Sequence, residues 1–428
     1  MKLYEELKWR GLIKDEAGEE LEDKLNNEKV TFYWGTDPSA DSLHIGHYSS
    51  LLTAKRLAQH GHHPILLIGG ATGMIGDPRP TAEREIQAKD TILENAKKLT
   101  KQVKEIFDGN VEVVNNYEWT KDMNILDFLR DTGKYINVNY MINKDIIKRR
   151  LDTGITFAEF TYTLLQGYDF MHLYETKNCI MQVEGSDQWG NITTGIDLIN
   201  KKLNKKAYAF TMPLILDANG NKFGKSEGNA LWLDKEKTSS YEIYQYLINS
   251  SDEKVEEYLK VYTFLSKEEI EDLMKKHNKK PEERLAQKML AKEFITDLRG
   301  KEEYSKAIKT TEALFNGKVK ELTKKEIEEV FKEMPSFETK DGIDIISMLT
   351  EGKVAQSKRE AREFINAGSI TINEEKITDE NYIIKKDIAI EKEILVIKRG
   401  KKKYYIGKIK WHIKIGNYYF LIFFKVIL

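Results

Sequence analysis

Two short stretches carry residue types and spacings able to act on a charged substrate. The first is Asp37-Pro-Ser-Ala-Asp-Ser-Leu-His44-Ile-Gly46-His47. Two histidines three positions apart bracket a glycine where a helical pattern opens, so imidazole donors, backbone N–H groups and the positive end of a helix dipole are expected to face one anion. Gly46 has no side chain and would let a flat base or a phosphate come against the backbone. The second stretch is Asn219-Gly-Asn-Lys222-Phe-Gly224-Lys225-Ser226-Glu-Gly228. Its glycines suit a loop that closes two ammonium groups over a triphosphate and steadies charge developing on a leaving pyrophosphate. Five of the eight histidines, at 44, 47, 60, 62 and 63, lie near the first stretch. No carboxylate is spaced to complete a metal set with His44 and His47, so no metal centre is expected. His60, His62 and His63 are expected to be solvated, at the far edge of the sheet from the site.

These stretches need a frame. VTFYWG, the helical pattern from Tyr48 to His60 and the apolar run HPILLIGG read as a βαβ unit. Strands alternating with helices continue through VEVVNN, CIMQVEG and the FTMPLIL run, which predicts a doubly wound α/β domain with a parallel, Rossmann-like sheet. Ligands of such sheets sit beyond the carboxyl ends of the strands, so the residues after VTFYWG, HPILLIGG and CIMQVEG should converge. From Thr238 to Phe331 the pattern is amphipathic and helical. EMPSFETKDG then reads as a linker, followed by two short helices ended by glycine and by β-rich SITIN and EILVIKRG. The expected organisation is a catalytic domain over 1–220, the glycine-lysine loop and an α-helical domain over 221–332, a linker over 333–342, a small α+β domain over 343–406 and an extension over 407–428. The aromatic, β-prone extension forms either an extra strand or a tail without a role.

Composition narrows the class. The 428 residues, 40% hydrophobic and 32% charged, exclude a disordered or collagenous chain and imply more than one domain. Net charge is −1, yet residues 340–428 carry 18 Lys and Arg against 12 Asp and Glu. An acidic body with a basic tail suits a polyanionic partner at the tail. One cysteine, Cys179, forms no internal disulfide, which predicts a reducing, cytoplasmic setting. The apolar run from Tyr418 to Leu428 is too short for a bilayer span of about 20 residues, and no membrane association is expected.

HIGH followed by KFGKS resembles the signature pair of class I aminoacyl-tRNA synthetases. YWGTDPSADSLHIGH, GGATGMIGDP, FLRDTGKYINVNYM, FTYTLLQGYDF, GSDQWGNI, KFGKS and RGKKKYY are similar, in order, to bacterial tyrosyl-tRNA synthetases over about residues 1–406. The resemblance implies that Tyr33 and Asp169 hold the hydroxyl of tyrosine, that Asp77, Tyr162 and Gln166 hold its ammonium group, and that Gln188 serves its carboxylate. Tyr162, Gln166 and Asp169 are at i, i+4 and i+7, one face of one helix. Gly35, Asp37, Gly46, Gly185 and Asp187 are assigned to ATP. His44, His47, Lys222, Lys225 and Ser226 form the catalytic set, stabilising the phosphorus centre and its leaving group rather than acting as bases. ATP enters as a substrate with Mg²⁺, and no permanent cofactor is implied.

In the same family the C-terminal segment resembles an S4-type RNA-binding module, which assigns Lys358, Arg359, Arg362, Lys401, Lys402 and Lys403 to RNA. The implied partners are L-tyrosine, ATP, tRNA(Tyr) and a second subunit, with FLRDTGKYINVNYM resembling the dimer interface. Arg84 is a candidate contact for pyrophosphate or the acceptor end. The chain departs from the pattern at Trp34, at Glu184, where the family usually has a second glycine, and at Glu374, where the S4 pattern has glycine and the turn is expected to differ. A tryptophanyl-type relative or a small nucleotidyltransferase would share the histidine turn but has no use for both Tyr33 and Asp169. A non-catalytic RNA-binding relative would not need the intact site.

Overall fold

The computed structural model describes residues 1–78, 87–226, 229–332, 334–400, 403–410, 414–415 and 418–419. The chain forms two compact units, residues 1–238 with 245–300, and residues 239–244 with 301–428.

In the first unit β1 (Asp15–Ala17), β2 (Thr31–Thr36), β3 (His63–Ile68), β4 (Glu112–Asn115), β5 (Cys179–Gly185) and β6 (Tyr208–Met212) form one sheet in the order β1-β6-β5-β2-β3-β4. The pairs from β6 across to β4 are parallel. The chain runs from β2 outward through β3 to β4, then returns to the other side of β2 with β5 and β6. The order therefore reverses between β2 and β5, and their carboxyl ends open a crevice. On one face Tyr33, Ile65 and Leu67 pack against Phe170 and Met171 of the helix Phe157–Lys177 and Leu198 and Ile199 of the helix Trp189–Leu203. Thr156 and Glu159 cap the first of these helices with reciprocal hydrogen bonds, and Asn178 ends it in the left-handed region at φ 51°. The expected parallel α/β sheet is present. The antiparallel edge strand β1 was not legible, because Asp-Glu-Ala has no apolar alternation.

One histidine departs from expectation. His60 and His63 are exposed, but His62 is only 3% exposed. Its Nδ1 accepts the Val30 N–H at 3.3 Å and its Nε2 meets the Leu25 carbonyl at 3.1 Å. The ring thus satisfies two buried main-chain groups at a helix-to-strand turn, and burial lowers its pKa to about 4.

The second unit holds a five-stranded sheet in the order Glu375–Ile377, Ile370–Ile372, Ile394–Arg399, Lys403–Ile409, Ser336–Thr339. The helices Ile345–Glu351 and Lys358–Asn366 fall where they were expected. Residues 336–339, read as linker, instead form an edge strand parallel to Lys403–Ile409. Phe337 packs on one apolar core and Thr339 is buried, an alternation that a turn-rich reading of Pro335 and Gly342 hides. The strand Lys403–Ile409 also passes the expected domain end at 406. A second core joins Ala313, Leu322 and Ile327 to Ile394, Val396 and Ile406, so residues from 301 onward belong with the C-terminal sheet and not with a separate helical domain. Within the extension, Lys414–Ile415 pairs with Tyr418–Tyr419. Among the described residues no helix is long and apolar enough to cross a membrane.

At Glu374 the expected change of turn is not seen: the backbone keeps the left-handed geometry that suits glycine. Asn373 and Glu374 join two antiparallel strands with φ of 47° and 73°, a conformation that favours glycine at the second position. The Glu374 carboxylate accepts the Val319 N–H at 3.1 Å, which offsets that strain. Glu374→Ala loses the acceptor and keeps the strain, so urea unfolding of the chain should show a loss of about 1 kcal/mol. Glu374→Gly also removes the strain and should recover most of that loss, by about 0.5–1 kcal/mol. Equal stabilities of the two variants would contradict the assignment.

Candidate active site

The histidine turn opens the helix Ile45–Gln59 beyond β2. The His44 and His47 rings stack at 3.9 Å. His44 Nδ1 accepts the Gly46 N–H at 3.1 Å, and His47 Nδ1 accepts the His44 N–H at 3.3 Å. These bonds place the proton of either ring, when neutral, on Nε2, which can donate to an anion. The expectation that backbone N–H groups face the anion is corrected here. The Ile45 N–H is given to Leu231 O at 2.9 Å and the His47 N–H to His44 O at 2.9 Å, and Gly46 is taken by His44. Glycine is required at 46 because a Cβ would stand 2.8 Å from the His44 ring. Desolvation, with His44 and Lys222 as like charges, holds the His47 pKa down at about 3. His47 is therefore a neutral donor at physiological pH.

The lysine loop is fastened to this turn. Leu231 and Leu233 bond main chain to main chain with Ile45 and Leu43, at 2.9 and 2.8 Å, so Trp232 runs antiparallel to His44. Gly224, at φ +85°, lies so close that a Cβ would meet Ile45 at 2.9 Å. Phe223 anchors the base among the rings of Tyr246, Tyr258 and Tyr262. Lys222 is exposed, and Lys225–Ser226 forms a short strand with Asn229–Ala230. Both stretches are braced from the helix Leu285–Arg299. Asp297 accepts the Tyr48 hydroxyl at 2.5 Å and Lys55 at 2.7 Å, while Arg299 donates to Leu233 O at 3.0 Å and Thr238 O at 2.7 Å. None of these bracing residues was picked out in the sequence, since nothing in the pattern LAQKMLAKEFITDLR distinguishes a brace from a solvated face.

Across the crevice lies an acidic pocket. Tyr33, on β2, is 1% exposed, and its hydroxyl is buried without a hydrogen-bond partner. Burial raises its pKa well above that of a free phenol, with Glu184 and Asp169 adding to the effect. Asp169 is 3% exposed and accepts from Asn116 Nδ2 and Trp119 Nε1, both at 2.9 Å. Burial nevertheless raises its pKa to about 7, with Asp37 adding to the shift. From the same helix Tyr162 donates to Asp37 Oδ2 at 2.9 Å, and Thr72 donates to Asp37 Oδ1 at 2.7 Å. Gln166 Oε1 is buried and unpartnered. Asp77 accepts from Gln188 at 3.0 Å and Asn191 at 3.2 Å. Gly185 begins the turn after β5, and Asp187 within it is exposed. Two unpartnered buried polar atoms, on β2 and on the facing helix, are the mark of a pocket made for a polar ligand.

Asn116 and Trp119 were missed, although the rule that found the other loops points to them. They follow β4, a carboxyl end left out of that expectation. In the second unit, Lys358, Arg359 and Arg362 line the helix Lys358–Asn366, with Arg359 paired to Glu363 at 3.0 Å and Arg362 to Glu380 at 3.3 Å. Lys403 is exposed. Arg84, Lys401 and Lys402 lie outside the described residues. No group of His, Cys, Asp and Glu able to hold a metal occurs among the described residues.

Asp169 makes a stability prediction. Its pKa rises on folding, so the native state is favoured most at low pH and loses that advantage as the pH climbs toward about 7. Asp169→Asn, which cannot ionise, should therefore melt higher than the parent chain at pH 8, by on the order of a few kcal/mol, with the gap closing toward pH 4. A gap that is flat with pH would rule out a strained carboxylate.

The geometry can now be set beside known proteins. Residues 25–316 match the family model of tRNA synthetases class I (W and Y), and residues 326–407 match the tyrosine–tRNA ligase SYY-like C-terminal domain. The chain is 47% identical to a tyrosine–tRNA ligase of Geobacillus stearothermophilus, over 95% of this chain and 99% of that one. It is 46% identical to that of Streptococcus uberis, over 94% and 99%. Among solved structures, a C-terminally truncated mitochondrial tyrosyl-tRNA synthetase of Aspergillus nidulans aligns with TM-score 0.64 at 32% identity, covering 73% of this chain and 94% of that one. The chain belongs to the class I tRNA synthetases and, within them, to the tyrosine–tRNA ligase family.

Proposed function

We propose that the chain activates L-tyrosine with ATP and passes the tyrosyl group to the 3′ end of tRNA(Tyr). The observation that carries this reading is the buried, unpartnered Tyr33 hydroxyl, within electrostatic reach of Asp169, a carboxylate already held by Asn116 and Trp119. A para-hydroxyl entering there donates to Asp169 and accepts from Tyr33. Phenylalanine would leave a buried acceptor and a buried donor unmatched, which is costly. Asp77, Tyr162 and Gln166 take the substrate ammonium, and Gln188 orients its carboxylate. Gly35, Asp37, Gly46, Gly185 and Asp187 take the nucleotide.

In the first step a carboxylate oxygen of tyrosine bonds to the α-phosphorus of ATP, while the bond from that phosphorus to the bridging oxygen breaks and its electrons leave with pyrophosphate. Mg²⁺ arrives with the nucleotide. The Nε2–H groups of His44 and His47 and the ammonium groups of Lys222 and Lys225 stabilise the charge spreading onto the phosphate oxygens, and Ser226 lies in the same loop. No side chain need become covalently bonded. A ribose hydroxyl of tRNA then attacks the tyrosyl carbonyl and AMP departs. The basic helix with Lys358, Arg359 and Arg362, together with Lys401, Lys402 and Lys403, receives the RNA backbone in an S4-like manner. The single buried Cys179 suits a reducing cytoplasm.

A second subunit is supported by exposed apolar surface. Of the eleven large hydrophobic side chains exposed among the described residues, seven lie between Ile125 and Phe157, including Ile125 at 70%, Leu126 at 72% and Phe157 at 75%. Such a concentration marks a protein interface.

The reading is tested by tyrosine-dependent ATP–pyrophosphate exchange, which should be robust with tyrosine and at background with phenylalanine. Exchange driven by another amino acid instead would refute it. Lys225→Ala should lower the exchange rate about 100-fold while changing tyrosine affinity by less than about 3-fold, as befits a group that acts on the transition state; equal losses in both would deny its role. For the interface, Leu126→Asp should convert a dimer to a monomer in sedimentation, and a dimer that survives would place the contact elsewhere.

A further inference from the structure

At the end of β5 stands a buried acid that the reaction described above does not use. Glu184 is 4% exposed, and its Oε1 accepts the Gly35 N–H at 2.6 Å. That bond crosses the crevice where the strand order reverses. Main-chain pairing between β2 and β5 ends at Tyr33 with Gln182, whereas Glu184 continues the ladder to Thr211 on the other side. Beyond Tyr33 a side chain therefore supplies a link between the two strands that the backbone has stopped making. Facing this carboxyl are the Tyr33 phenol and Gly35 N–H from β2, the Gln182 amide from β5, and the carboxylates of Asp37 and Asp187 from the loops after each strand. Burial, with Asp187 and Asp37 adding to it, raises the Glu184 pKa well above the ordinary carboxylate range.

We propose that Glu184 is a positioning residue for adenylate formation: it ties the Gly35 end of β2 to β5 and so fixes the nucleotide-side backbone, Gly35 to Asp37 and Gly185 to Asp187, against the amino-acid pocket that begins at Tyr33. The inference rests on the reading that this crevice joins tyrosine to ATP. It also gives a role to a residue that stands where the family pattern has glycine. With glycine at 184 the Gly35 N–H has no side-chain acceptor from β5. With a neutral acid it has one, and the two halves of the site are held by a bond of fixed length. An ionised acid there would place a third negative charge beside Asp37 and Asp187, at the approach of a triphosphate.

The test is tyrosine-dependent pyrophosphate exchange, with tyrosine affinity measured separately by equilibrium dialysis. Glu184→Gln keeps an acceptor for Gly35 and should hold kcat within about 3-fold of the parent chain, whereas Glu184→Ala should lower kcat by about 10-fold or more and leave tyrosine affinity within about 3-fold. As the pH is raised the parent chain should lose kcat relative to Glu184→Gln, because only the parent can ionise at this position. Should Glu184→Ala not fold, the Gln variant and its pH profile still decide. Parent-like kcat in the Ala variant, tyrosine affinity lost in step with kcat, or superimposable pH profiles of the parent and the Gln variant would each overturn the proposal. A parent chain that shows no tyrosine-dependent exchange would strike at the functional reading instead.

Discussion

A carboxylate shut away from water governs the site. Asp169 keeps two good donors, Asn116 and Trp119, and still has its pKa raised to about 7. Desolvation outweighs those hydrogen bonds, and a further donor would be welcomed there. Most of the first unit can be understood as support for this one group. The capped helix Phe157–Lys177 carries it, β2 brings the Tyr33 phenol toward it, and the loop after β4 delivers its two partners. The cost in stability is the expected price of a site built to recognise a polar ligand.

The crevice is divided by charge. The carboxylates of Asp77 and Asp169 lie in one part of it and His44, His47 and Lys222 in another, with Asp37, Glu184 and Asp187 around the ends of β2 and β5. The sheet sets this arrangement, since the strand order reverses between β2 and β5 and their carboxyl ends part there. His47 contributes without being a cation. With its pKa at about 3, the ring stays neutral and its N–H does not change over the physiological range.

Legibility in the sequence followed the range of the interactions. Apolar runs such as HPILLIGG and CIMQVEG announce parallel strands because burial on both faces leaves no room for alternation. The i, i+4, i+7 spacing of Tyr162, Gln166 and Asp169 is a local property of one helix, and the structure does gather them. Their partners were harder to see. Tyr162 meets Asp37, 125 positions away, and Asp169 meets Asn116, 53 positions away; no local pattern encodes such distances. The same limit explains the strand at 336–339, whose pairing with residues 406–409 is invisible in a segment framed by Pro335 and Gly342. His62 was misplaced for a related reason. Three histidines around a turn look hydrophilic until one of them is needed to satisfy the Val30 N–H and the Leu25 carbonyl.

The bracing of the histidine turn also fixes where the lysine loop starts and ends. Gly224 and Leu231, either side of Lys225, are packed or bonded to Ile45, so both stems of the loop are tied to the turn. Asp297 and Arg299 then tie the turn and the outer stem to one helix end through Tyr48, Lys55, Leu233 and Thr238. Lys225 lies in the short span between Gly224 and Leu231, and Lys222 in its anchored base, next to Phe223 in the chain. The two lysines of one short motif are therefore held by different means: Lys222 by a stem that packs Phe223 among three tyrosine rings, and Lys225 by a short strand paired with Asn229–Ala230.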